Sequence, residues 1–319
     1  MLIVEKLKWT PTYSSGKAMG RLRLWFKFLD PSSVLSSQAE IEQARTLLQN
    51  EGHKQRNEKV ANAWLLSLSS VHPDTGAVIS PVFRSQVFLP ISAPLVVASL
   101  IPHKGIKPAL FWQFLLQAYC AGFNHANRNA TATKDNKTSM KQSILIVGTV
   151  AYSAFAGALP QIILKRFRLI GAVAETFSRS LLPIPLSACL AAFSVMVVRS
   201  EEADNGIRVF DSKGNAVGVS KAAGSKAIKE TALSRATLFG TTAAFPTLLL
   251  ALLKRAKFFQ RNPMIIAPVR HVSTAIIFGL MIPVSFSLFP QFGKIKKENL
   301  EEEFQSLDGH SELFYHRGL

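Results

Sequence analysis

Residues 236–253 read ATLFGTTAAFPTLLLALL, and residues 254–257 read KRAK. A membrane-spanning helix needs roughly 20 mostly apolar residues, and these eighteen contain no charged side chain. The basic cluster follows where head groups would begin, the placement in which Lys and Arg fix topology and meet anionic lipid.

The same alternation recurs outward from that stretch. Apolar runs stand at about 108–123, 143–164, 180–198 and 268–290, with basic connectors between runs such as His103-Lys104-Gly105-Ile106-Lys107 and Lys165-Arg166-Phe167-Arg168. A further run, 86–102, is interrupted by Pro90 and Pro94. A short kinked helix, re-entrant or half inserted, is expected there. The expected fold class is an all-α polytopic membrane protein. It has about five transmembrane helices, one short Pro-broken helix, amphipathic N-terminal helices and a small β-hairpin insert.

Composition agrees. Of 319 residues, 48% are hydrophobic and 18% charged, with mean hydropathy +0.20, whereas a soluble domain carries about a quarter charged residues. The net charge of +17 would suit nucleic acid. Its confinement to connectors between apolar runs points instead to membrane lipids as partners, and to no nucleic acid.

Three regions are expected: a non-spanning amphipathic head, 1–85; a transmembrane core, 86–291, with a polar insert at 199–231; and a tail, 292–319. In the head, Leu22, Trp25, Phe26 and Leu29 stand at helical spacing among Arg21, Arg23 and Lys27. That periodicity fits an interfacial helix and a helix packed on its own domain equally well. Residues 6–29 are basic and lack acids, compatible with mitochondrial targeting and with a surface-lying segment alike. Asp30-Pro31-Ser32-Ser33 breaks this helix, and two amphipathic stretches follow, one with Ile41, Ala44 and Leu48, the other with Val60, Trp64 and Leu68. In the insert, Ile207–Phe210 and Ala216–Val219 flank Asp211-Ser212-Lys213-Gly214-Asn215, a hairpin by turn chemistry. The basic loops 165–179 and 254–264 are expected on the positive side, the matrix.

Cys120 and Cys189 lie in apolar runs and the seven histidines are scattered. No disulfide framework, metal site or cofactor is implied. No nucleophile–base pair, phosphate-cradling loop or carboxylate dyad stands out, so an enzyme is not expected.

Five segments in order resemble the sideroflexins: His72-Pro73-Asp74-Thr75-Gly76; Asn124-His125-Ala126-Asn127-Arg128; the insert Asp211 to Ser220; Leu288-Phe289-Pro290-Gln291; and the ending Phe314 to Leu319. The resemblance implies a multi-pass protein of the mitochondrial inner membrane, in a family that carries serine and related small amino acids. Departures from the pattern bear on activity. Where serine carriers of the family have Pro-x-Asn, this chain has Pro90-Ile91-Ser92; where they have Asn-Cys-Ile-Asn-Ile-Pro, it has Ala191-Ala192-Phe193-Ser194-Val195-Met196. A zwitterion at mid-membrane needs donors and acceptors to replace its water, so Ala191 and Ser194 make the path more apolar. Such divergence resembles one branch of the family, associated with assembly of respiratory complex I and, through it, with iron–sulfur and iron homeostasis. Complex I assembly factors are then the implied partners.

The candidate substrate path is Pro90, Ser92, Asn124, Asn127, Arg128, Ala191 and Ser194, with a small amino acid as the solute. Asn124, Asn127 and Arg128 suit either a carboxylate at a pore mouth or helix capping with Arg128 snorkelling to head groups. His72, Pro73, Asp74 and Thr75 read as a turn whose side chains cap backbone donors, in preference to a cation or substrate site.

Overall fold

The structure, a computed structural model, describes residues 18–29, 36–50, 58–101, 103, 105–130, 139–166, 177–212, 214–305 and 311–319. The helix break at Asp30-Pro31-Ser32-Ser33 and most of the basic loop 165–179 lie outside them.

Three short helices form the head: α1 (Ala18–Phe28), α2 (Gln38–Asn50) and α3 (Glu58–Ser70). The core follows as α4 (Phe88–Leu100), α5 (Ile106–Ala126), α6 (Met140–Arg166) and α7 (Pro183–Val198). A one-turn α8 (Ser200–Asn205) leads into β1 (Ile207–Phe210) and β2 (Ala216–Ser220), then α9 (Lys221–Leu253) and α10 (Ile266–Ser287). The tail supplies β3 (Phe292–Lys296) and β4 (Glu312–His316).

By length and composition, Met140–Leu164, Lys221–Leu253 and Pro263–Ser287 are able to cross a membrane, and Ser85–Leu100 and Pro183–Val198 are shorter apolar helices. Helix α5 has the length, at 21 residues, but Gln113, Gln117 and Asn124 on it dilute its hydropathy. Large apolar side chains stay exposed on the outer faces: Val147 and Phe155 on α6, Phe245 and Leu248 on α9, Ile276 and Leu280 on α10. In water such surface would be a liability; facing lipid tails it is what a span presents.

Helix α9 packs on both α7 and α10, α5 on α4 and α6, and α10 on α4. Their shared centre is aromatic. Phe88, Phe123, Phe278 and Phe286 are buried together, with ring centroids 4.5 Å apart for Phe88 and Phe123. Fully burying one such side chain contributes roughly 1.5–3 kcal/mol in water; within lipid, packing rather than water exclusion carries this contact.

The run at 86–102 holds a short helix of 13 residues with Pro94 inside, and Pro90 falls in its first turn, where no intrahelical donor is needed. The hairpin is only half of its sheet. Its turn is as expected, closed by Asp211 accepting from Asn215 N at 2.8 Å, but the strand order is β2-β1-β4-β3. The tail therefore docks along β1, pairing Val209 with Tyr315 and Phe210 with Phe314. Helix α1 packs on the core: Trp25 is buried edge-on against Phe286 at 4.9 Å, while Phe26 is 52% exposed. Arg21 Nε donates to Ser287 O at 2.8 Å, fixing α1 to the end of α10.

Candidate functional site

A cavity of about 140 Å³ runs inside the bundle, walled by α4, α5, α6, α7, α9 and α10. On α5 the lining residues Gln113, Gln117, Cys120 and Asn124 follow one helical stripe, which extends the cavity about 16 Å along the axis. Opposite stand Ser187, Ala191 and Ser194 from α7, and Arg235, Phe239 and Thr242 from α9. Gly157 of α6 keeps the wall open, because a Cβ there would come within 2.5 Å of Gln113 Oε1.

The two ends differ. At one, Gln161 Nε2 donates to Ile101 O at 2.9 Å, His103 meets Ala98 O at 2.9 Å, and Arg270 completes the wall. At the other, Asn124 and Arg235 reach the cavity. Asn124 Oδ1 is buried without a partner among the described residues. Arg235 is 4% exposed, its guanidinium 3.9 Å from the Phe286 ring centroid and 5.6 Å from that of Phe123.

Beyond Arg235 a polar cap seals this end. Arg199 and Glu202, at the α7–α8 junction, are both fully buried and pair at 2.5 Å and 2.8 Å. Arg199 also donates to Thr231 Oγ1 at 3.2 Å, to Arg317 O at 2.6 Å and to Leu319 O at 3.4 Å. Asn129 Nδ2 donates to Glu202 Oε2 at 2.8 Å and to His316 O at 3.1 Å. Gly318 sits at φ +75°, where a Cβ would run into the Arg199 guanidinium; glycine is what lets the chain turn there. Arg317 donates to Phe286 O at 3.1 Å. Burial pushes its guanidinium down to about 10, with Glu230 opposing and Arg199 adding to that shift.

The residues singled out in the sequence divide between cavity and cap. Asn124, Ala191 and Ser194 line the cavity. Asn127 and Arg128 do not: Asn127 Nδ2 bonds Phe83 O and Phe123 O, both at 2.9 Å, and Arg128 pairs with Glu201 at 2.8 Å. Ser92 is buried with its hydroxyl on Phe88 O, and Pro90 is exposed; neither lines the cavity. His72, Pro73, Asp74 and Thr75 form a turn against the cap. His72 Nδ1 accepts from Asp74 N and Thr75 N, and Nε2 lies 2.7 Å from Arg128 O, the pattern of a neutral ring protonated at Nε2. Asp74 Oδ2 accepts from Ala130 N at 2.9 Å. Sequence reasoning missed Arg235, Arg199 and Glu202. Among the described residues no group of three or more His, Cys, Asp or Glu could hold a metal.

A lipid-facing helical bundle around a largely apolar cavity with polar groups set into its walls defines a polytopic membrane protein of carrier type. Over residues 9–319 the chain matches the sideroflexins, and it belongs to that family. It is 73% identical to Sideroflexin-4 of Danio rerio over 302 residues, covering 94% of this chain and 95% of that protein. It is 39% identical to Sideroflexin-4 of Homo sapiens, covering 94% and 88%, and 30% identical to human Sideroflexin-5, covering 97% and 92%. No solved structure matches.

Proposed function

We propose that this chain is a carrier-type sideroflexin of the mitochondrial inner membrane that serves serine poorly and supports assembly of respiratory complex I, with iron–sulfur and iron homeostasis downstream. The observation that carries this reading is the α7 wall of the cavity. Ala191 and Ser194 line it at the positions where the serine-carrying pattern has asparagines. A methyl and one hydroxyl there replace two amides, so a zwitterion entering the cavity finds fewer groups to exchange for its water. Complex I assembly factors and mitochondrial lipids are the partners this reading requires, with the 254–264 loop facing the matrix.

A second reading, transport of serine or another small neutral amino acid, is favoured by Gln113, Gln117 and Asn124 on the opposite wall. One experiment separates the two. Labelled serine uptake and complex I assembly would be followed together in mitochondria lacking all sideroflexins, with this chain restored alone. Complex I recovered without serine uptake is the expected result; recovered uptake selects the second reading.

A further inference from the structure

The cavity holds an arginine at each end and, among the described residues, no acidic group: Arg235 at the cap end, Arg270 at the other, and neither Asp nor Glu on any wall. Arg235 is the most enclosed. Its guanidinium rests between aromatic faces, 3.9 Å from Phe286, 5.6 Å from Phe123 and 5.7 Å from Phe88. Its Nη2 is buried with no hydrogen-bond partner among the described residues. Cation–π contact stabilises the charge but leaves the Nη2 donors unanswered, and an unanswered buried charged donor is costly. What would answer them is a pair of acceptor oxygens in one plane, matched to the guanidinium fork. Other polar groups of the lining, Asn124, Ser194 and Thr242 among them, are neutral. They can meet a hydroxyl or carbonyl but offer no counter-charge to an ammonium.

We infer that Arg235 is the anion-binding group of this cavity and that its ligand is a small carboxylate bearing no ammonium, bound with its carboxylate on the guanidinium. The inference rests on the carrier-type reading of the cavity and narrows the class of solute it accepts.

The matched probes are 3-hydroxypropionate and serine, which differ by the ammonium alone. The full chain in nanodiscs of neutral lipid would be titrated with each, beside the Arg235→Gln and Arg235→Lys variants, with folding checked by thermal unfolding. Wild type is expected to bind 3-hydroxypropionate at least about tenfold more tightly than serine. Arg235→Gln should weaken that binding on the order of 10–100-fold, as loss of a charge-assisted bidentate contact does. Arg235→Lys, which keeps the charge and loses the fork, should weaken it by about tenfold, and it carries the test alone if Arg235→Gln does not fold. Unchanged affinity in a folded variant, or tighter binding of serine, overturns the inference. So does native mass spectrometry finding an anionic lipid retained by wild type and lost in Arg235→Gln, which would give the guanidinium to a phosphate head group. Uptake into proteoliposomes separates this inference from the carrier reading. Binding that depends on Arg235 without uptake of any solute sinks the carrier reading and leaves the anion site. Uptake that ignores Arg235→Gln does the reverse.

Discussion

Arg199 and Arg235 are both buried, within a few helical turns of the same cap, and they are held in opposite ways. Every guanidinium nitrogen of Arg199 has a partner, from Glu202, Thr231, Arg317 or Leu319. Arg235, one helical turn beyond Thr231 on α9, has aromatic rings around it and a buried nitrogen with no partner among the described residues. A buried charge that is fully answered holds structure together; one left unanswered beside a cavity is positioned for something that arrives from outside.

That contrast is open to test by thermal unfolding of the chain in nanodiscs. Glu202→Ala strips Arg199 of its counter-charge and should cost about 3–5 kcal/mol, as uncompensated buried charges do. An unfolding temperature close to wild type would break the comparison at its stronger side. Asn129→Ala removes the two bonds that tie Glu202 to the carbonyl of His316, and a loss of roughly 1.5–3 kcal/mol is expected. Arg235→Met exchanges an unanswered charge for an apolar side chain of similar length, so stability should stay within about 1 kcal/mol or rise. A loss as large as that of Glu202→Ala would make Arg235 a structural residue and sink the comparison.

The smallest effect concerns pH. Glu301 accepts from Lys221 N at 2.7 Å and Ala222 N at 3.0 Å at the start of α9. Burial alone would raise its carboxyl, but those backbone donors, with Ser220 and its own N–H, hold it below the usual range. A carboxyl lowered on folding adds stability above its unfolded value and loses it as pH falls through the folded one. Glu301→Gln should therefore flatten the acid side of the stability profile between those two values and change little at neutral pH. An acid limb as steep as that of wild type would remove Glu301 from the account.

Much of the membrane architecture was legible in the chain because an apolar run is a local signal. The apolar spans at 143–164 and 236–253, the hairpin turn at Asp211–Asn215 and the cap-forming turn at His72 all follow from neighbours in sequence, whereas the first turns of α9, from Lys221, fall in what reads as the polar insert ending at 231. The tail strands did not, since β4 pairs with β1 across about a hundred residues and carries no turn signal linking them. Of the site, Asn124 was readable in a motif just beyond the run 108–123, and Ala191 and Ser194 only as departures from the family pattern. Arg235 was missed for a plain reason: a span drawn to begin at residue 236 leaves it just outside. A signal was there, because an ionisable residue flanked by Ala232-Leu233-Ser234 and Ala236-Thr237-Leu238 marks a functional position by default in a membrane helix. Asn127 and Arg128 fell to the cap because a motif at a helix end fixes residue types without fixing which way the chain leaves.

Helix α4 has 13 residues and so rises only about 20 Å, against a hydrocarbon layer of roughly 30 Å. Its prolines face outward, Pro90 and Pro94 both being exposed. Lipid beside that helix has to thin locally, at a cost of fractions of a kcal/mol for each ångström of mismatch. If α4 spans, the bundle is expected to dent the bilayer along that flank, more deeply in a thicker membrane and less in a thinner one. Bilayer thickness becomes a variable that this protein feels, and short-chain lipids should gather along the α4 face.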